Sequence, residues 1–233
     1  NIAKRFGIGH LRSTIIGQSI YNMYHFLGFR AIGDNHLGDW GTQFGIIIYQ
    51  IVNNNLSPKK LSVAELESLY VDFNKKAKDN PDLWEEARKW FKKLEDGDEK
   101  AKEIWRVSTE ISLQEFNRIY DLLDVKIDNS YGESFYQDKM DSVIREAKSK
   151  KIAFEDKGAL IIKYLSLTPG ILLKSDGGTT YLTRDLATVK FRIENWNPDL
   201  IIYEVGVEQT LHFQQVFEAA QMLGWTNRES LVH

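Results

Sequence analysis

Gly7, Gly9 and His10 stand where a polar stretch, Asn1-Ile-Ala-Lys-Arg-Phe-Gly7, runs into an apolar-periodic one. Glycines let a backbone approach an anion closely, and a histidine at a helix start adds a side-chain donor to the unpaired N–H groups and positive dipole end found there. Such a start can hold a phosphate, with Lys4 as a nearby cation; the plainer reading is a turn that only shapes the chain. A second set is Gly206, Glu208 and His212, which follow the apolar run Leu200-Ile-Ile-Tyr-Glu-Val205. Gly206 would let a ribose lie against the backbone, Glu208 can accept from both ribose hydroxyls, and His212 can stack on or bond an adenine. The same residues also read as a strand-to-helix turn capped by Glu208. The third set is acidic: Glu133 in Tyr131-Gly-Glu-Ser-Phe-Tyr136, and Asp185 in Tyr181-Leu-Thr-Arg-Asp185. Carboxylates so placed can hold a cation, and a guanidinium fits best because its planar fork meets two oxygens at once. Without a ligand, Glu133 is a solvated turn residue and Asp185 stabilises a helix N-terminus by up to about 1 kcal/mol.

These stretches resemble the class I aminoacyl-tRNA synthetases. Gly7-Ile-Gly-His10 is similar to their His-x-Gly-His signature, with glycine in place of the first histidine, and Asn1-Ile-Ala-Lys4 followed by Gly9-His-Leu-Arg-Ser-Thr-Ile-Ile-Gly17 resembles the arginyl-tRNA synthetase form. Gly206-Val-Glu-Gln-Thr-Leu-His212 is similar to the family's adenosine-binding turn, whose usual form has aspartate where Glu208 stands. The resemblance implies that Gly7, Gly9, His10, Gly206, Glu208 and His212 bind ATP, and that His10 with Lys4 serves the transferring phosphate. It implies that Glu133, Tyr181 and Asp185 grip an arginine side chain, with Asn1 and Gln209 on the amino-acid end and His36 in the same pocket. The implied reaction is activation of L-arginine by ATP with Mg²⁺, then transfer to tRNA(Arg): a cytoplasmic ligase of protein biosynthesis without zinc. Two alternatives stay open, a non-catalytic module that keeps the synthetase core and a class I synthetase for another amino acid.

The implied fold is α/β, a Rossmann-like parallel sheet interrupted by a largely helical insertion. On that reading residues 1–52 form the first half of the core, 53–170 the helical connective insertion and 171–233 the second half, without the second, lysine-bearing signature loop. The start in mid-motif without methionine suggests a fragment, the middle of a longer synthetase, with most tRNA contacts on domains outside it.

The elements that must position these residues follow from periodicity. Leu11, Ile15, Ile16, Ile20, Met23, Tyr24 and Leu27 recur as an amphipathic helix stripe, closed by Gly28. Phe29 to Gly33 is expected as a short strand whose carboxyl end delivers His36, and Thr42 opens a helix through Val52. Lysine- and glutamate-rich stretches with apolar residues at helical spacing predict helices over Ala64–Lys78, Pro81–Glu95 and Asp98–Leu123. Their aromatic residues follow the helical period and belong in a core rather than on a base-stacking face, and Trp40 is expected to be packed as well. Strands are expected at 125–128, 159–165, 171–174, 179–182 and 200–205, and helices at 138–150, 184–196 and 209–223.

Composition bounds the rest. With 42% apolar and 12% aromatic residues the 233-residue chain can build a sizeable core. The net charge of −3 gives no bulk basic surface for nucleic acid, so any such surface is local. No cysteine is present, which excludes disulfides and thiolate zinc sites, and no apolar run approaches the ~18 residues of a membrane span.

Overall fold

The elements of the first unit are held by one close helix pair. The computed structural model describes residues 2–227 and 230–233, which divide into two units, Asn1–Ser134 and Phe135–His233. In the first unit α1 spans Ile8–Phe26, α2 Thr42–Asn53, α3 Val63–Asp79, α4 Leu83–Glu95 and α5 Glu99–Leu122. Phe44, Ile46, Ile47, Ile48 and Ile51 of α2 are all buried, and each apolar side chain of that size contributes about 1.5–3 kcal/mol. Gly45 is what lets α2 approach α4: a Cβ there would lie 2.1 Å from the Ala87 carbonyl oxygen. The expected aromatic residues do pack as core, with Trp40 edge-on to Phe91 and Trp105 and Phe73 edge-on to Trp84. Local signals set the helix starts: Ser62 and Glu65 form a reciprocal capping box on α3, and Asp98 caps α5 by accepting from Ala101 N–H at 2.9 Å.

Two expectations change in this unit. The strands predicted at 29–33 and 125–128 are absent; the parallel pairing lies just beyond them, as single bridges Asp34–Asn129 and Leu37–Gly132. Among the described residues each of these segments pairs with one neighbour, and parallel pairing with one neighbour supports only short runs. The second change concerns α1, whose apolar stripe buries no residue. Leu11 and Ile20 are only half-buried, alongside Thr14 and Gln18, and Gln18 accepts from Lys126 N–H at 2.8 Å.

The second unit contains α6 (Met140–Ser149), β1 (Ala153–Asp156), β2 (Ala159–Ile162), β3 (Gly170–Leu173), α7 (Tyr181–Trp196), β4 (Ile201–Ile202), α8 (Thr210–Met222) and β5 (Leu231–Val232). The first three strands make an antiparallel sheet, and β4 and β5 pair in parallel with Ile201 opposite Leu231. β1 has no counterpart in the sequence reading. Its turn to β2 takes Lys157 and Gly158 at φ of 50° and 81°, the primed-turn geometry of tight hairpins, in a Lys-Gly pair that lacks the usual asparagine signal. The strand expected at 179–182 reduces to one bridge from Thr179 to Leu173, because α7 begins at Tyr181. Glu146 of α6 ties this unit together: it accepts from Lys150 and Lys190 at 2.7 Å and from the Trp225 indole at 2.8 Å. Burial opposes its ionisation, but those donors outweigh it and hold its carboxyl at about 2. No helix among the described residues is long and apolar enough to cross a membrane.

Candidate active site

In the first unit the approach to α1 is fixed from α5. Ala3 is buried and donates its N–H to Ser112 Oγ at 3.0 Å, while Ser112 in turn donates to the Ser108 carbonyl. Phe6 then packs its ring against Phe116 and Tyr120 on one side and against His10, 5.6 Å away, on the other. His10 Nδ1 accepts the Gly7 N–H at 3.1 Å, which leaves the ring proton of the neutral form on Nε2. Burial, with a smaller contribution from the Lys4 ammonium, lowers the His10 pKa below its ordinary value, so at neutral pH the ring is an uncharged donor. A Cβ on Gly7 or Gly9 would meet nothing within 4 Å, and neither residue has a positive φ. Packing and backbone geometry therefore give no reason for glycine at either position, whereas close approach by an anion does. Lys4 holds its ammonium 4.9 Å from the centre of the Tyr70 ring of α3.

The Glu133 turn lies in the same unit and is clamped on both flanks. Glu133 N–H donates to the Leu37 carbonyl at 2.9 Å, and Ser134 donates its N–H and its hydroxyl to the two Asp39 oxygens at 2.9 and 2.6 Å. Asp39 is only 5% exposed, and Gly132 makes room for it, since a Cβ there would sit 2.3 Å from its carboxylate. Trp105 donates its indole N–H to the Asp39 carbonyl at 2.7 Å, so α5 also supports this turn. His36 lies between the bridges at 34 and 37, beside the turn in register.

In the second unit the start of α7 is tied to β3: the Thr180 hydroxyl donates to the Ile171 carbonyl, and the Thr183 hydroxyl to Leu172 at 2.6 Å. Tyr181 is thereby the first helical residue and is exposed, with the Arg184 guanidinium 5.4 Å from its ring centre. Asp185 falls on the fifth residue, outside the first turn, which removes the helix-terminus explanation for it. Its Oδ2 lies 2.6 Å from His212 Nε2. Gly206 precedes a 3-10 turn, Val207–Gln209, and the Glu208 carboxylate folds back over it, within 2.5 Å of where a Cβ would be. Gln209 is the N-cap residue of α8 and is exposed.

The structure therefore gathers Lys4, Gly7, Gly9 and His10 at one helix start, and Asp185 with His212 at another. Asn1 lies outside the described residues. Two partnerships escaped the sequence reading, Asp39 with the Glu133 turn and His212 with Asp185. Their members stand 95 and 27 residues apart, and no local pattern signals them. Among the described residues no three His, Asp or Glu side chains gather as a metal site.

Comparison with known proteins gives this arrangement its family. All 233 residues match the family described as class I (R) tRNA synthetases, catalytic domain. The arginine–tRNA ligase of Chloroflexus aurantiacus is 46% identical over the whole chain, which covers 41% of that relative; the Lactococcus lactis subsp. lactis ligase is 47% identical, with 42% of it covered. The crystal structure of Plasmodium falciparum arginyl-tRNA synthetase superposes with a TM-score of 0.87 at 34% identity, over the whole of this chain and 40% of that one. The Thermus thermophilus arginyl-tRNA synthetase shares the fold, with a TM-score of 0.73 at 19% identity. The chain thus spans about two fifths of the length of these relatives, and it belongs to the class I (R) tRNA synthetase catalytic-domain family.

Proposed function

We propose that the chain is the central catalytic segment of a cytoplasmic arginine–tRNA ligase. A carboxylate oxygen of L-arginine attacks the α-phosphorus of ATP, pyrophosphate leaves with the electrons of the broken P–O bond, and arginyl-adenylate forms. The arginyl group then passes to the terminal ribose of tRNA(Arg). Mg²⁺ enters as part of the ATP substrate. The observation that carries this reading is the 46% identity of the whole chain to relatives named arginine–tRNA ligase.

On this reading Gly7 and Gly9 leave room for the phosphates, and His10 donates Nε2–H to the oxygens that gather charge, with Lys4 beside it. Gly206 and Glu208 hold the ribose and the ring of His212 lies on the adenine. Glu133, Tyr181 and Asp185 take the arginine side chain; Asn1 and Gln209 take its amino-acid end, and His36 lines the same pocket. Two carboxylates facing one guanidinium give a physical basis for selectivity. Lysine offers a point charge that cannot satisfy two planar forks, and citrulline has no charge to pair, so either leaves a desolvated carboxylate short of partners. The division into core residues 1–52 and 171–233 around a connective insertion, 53–170, belongs to the same proposal, as does the placing of most tRNA contacts on domains outside this chain.

The test is arginine-dependent ATP–pyrophosphate exchange by the full-length protein that contains this chain, with tRNA present. Exchange with arginine and not with lysine or glutamine is the expected result; exchange with lysine or glutamine alone overturns the substrate assignment.

A further inference from the structure

The approach to α1 carries two successive basic residues, and α3 receives both. Arg5 pairs its guanidinium with Glu67, whereas the Lys4 ammonium lies 4.9 Å from the centre of the Tyr70 ring, one turn further along the same helix. Both ends of the second contact are fixed. Around Lys4 the backbone is pinned: Ile2 and Ala3 are buried, Ile2 N–H donates to the Gly38 carbonyl, and Ala3 N–H donates to Ser112 Oγ at 3.0 Å. Ala3 keeps a left-handed φ of 59°, which a residue with a Cβ holds only where its surroundings impose it. On the other side Tyr70 is half-buried and packs against both apolar clusters of the unit, the one around Phe44 and the one around Phe73. Lys4 and Tyr70 line one small cavity, together with Ile2, Ala3, Gln43, Phe44 and Ile47.

The two partners treat charge differently. A carboxylate neutralises the cation it holds, but a ring face attracts an ammonium through its quadrupole and leaves the net charge in place. An ammonium carries several N–H donors, and a ring meets it from one side, so an anion can still approach from another. Lysine also has a long stem whose rotamers must be fixed before its charge is in position, and a contact already made in the folded protein lowers that cost at the moment of binding. The ammonium so held is close enough to His10 to contribute to the lowering of its pKa. We infer that Tyr70 is a positioning residue for the ATP phosphates: its ring face holds the Lys4 ammonium, charged and in place, beside the helix start that carries His10. The inference rests on the proposed role of Lys4 at the transferring phosphate.

The experiment measures ATP–pyrophosphate exchange by the full-length protein at saturating arginine, over a range of ATP concentrations. Tyr70→Leu keeps an apolar side chain in the packing but loses the ring face. It lowers kcat/KM for ATP about fivefold, the scale of one partly exposed cation–π contact, and leaves the arginine KM little changed. Tyr70→Phe keeps the face and stays within about twofold of the parent. In a Lys4→Met background, Tyr70→Leu adds less than about 1.5-fold, because its effect passes through the removed ammonium. An unchanged kcat/KM for ATP in Tyr70→Leu overturns the inference. So does an equal loss in Tyr70→Phe, or a loss that persists in full in the Lys4→Met background, since those belong to the hydroxyl or to packing. The failure of the underlying reading looks different: a Lys4→Met protein with unchanged ATP kinetics removes Lys4 from the phosphate altogether.

Discussion

His10 and His212 are each the third residue of an α-helix, and each follows a glycine-bearing turn, yet one ring is bonded to a backbone N–H and the other to a carboxylate. In the first unit His10 takes the Gly7 N–H on Nδ1 and is kept neutral chiefly by burial, with Lys4 contributing less. In the second unit His212 spends its Nε2 on the Asp185 carboxylate. The helix position supplies the same positive dipole end in both cases, so it is the neighbouring charge that decides what each ring serves. A neutral donor ring near a cation suits an anion, as the proposed function asks of His10. The two units also fix their acids differently. The first unit buries Asp39 against the backbone of the Glu133 turn, and the second pairs Glu146 with two lysines and an indole.

The largest effect that would sharpen this contrast is expected at His10. His10→Ala in the full-length protein lowers the maximal exchange rate about a hundredfold, the scale of one donor lost from a site of developing charge, with the arginine KM little changed. An arginine KM that moves as far as the rate would place His10 with the cation and break the contrast. A smaller effect separates the two ways of fixing an acid. Glu146 has its carboxyl depressed in the folded state, so its stabilisation is present above the ordinary carboxylate value of 4.5 and is lost as pH falls from there toward about 2. Glu146→Gln should lower stability at pH 7 by about 1 kcal/mol, solvent screening keeping the loss modest, and should flatten the acid limb of the stability curve. Denaturant unfolding followed between pH 7 and pH 2 checks both. The smallest effect is expected at Gly9, where a Cβ meets nothing. Gly9→Ala stabilises α1 by up to about 1 kcal/mol in thermal unfolding while raising the ATP KM. A gain in stability with no change in the ATP KM would mean that no ligand needs the space at Gly9.

The helices were legible in the sequence because their signals are local. The stripes of Leu66, Leu69, Phe73 and of Trp84, Ala87, Trp90, Phe91 repeat at the helical period, and the structure places the ends of α3 and α4 within about two residues of those expected. The candidate chemistry was legible for a similar reason, since Gly7 to His10 and Gly206 to His212 are contiguous motifs. The strands were harder. A strand ends where its neighbour stops pairing, so the apolar run 200–205 carries only Ile201–Ile202 as β4, and β1 rests on a Lys-Gly turn with no usual signature.

By itself the sequence determined the helical segments, the aromatic core, the family and the short motifs from which a site can be proposed, because each is written in residues a turn or two apart. Only the tertiary structure decided that α1 buries none of its apolar stripe fully, that Asp39 is consumed in holding the Glu133 turn, and that His212 is bonded to Asp185. Those outcomes join residues far apart in the chain, and which distant groups meet is set by how helices and strands pack, information that no local spacing contains.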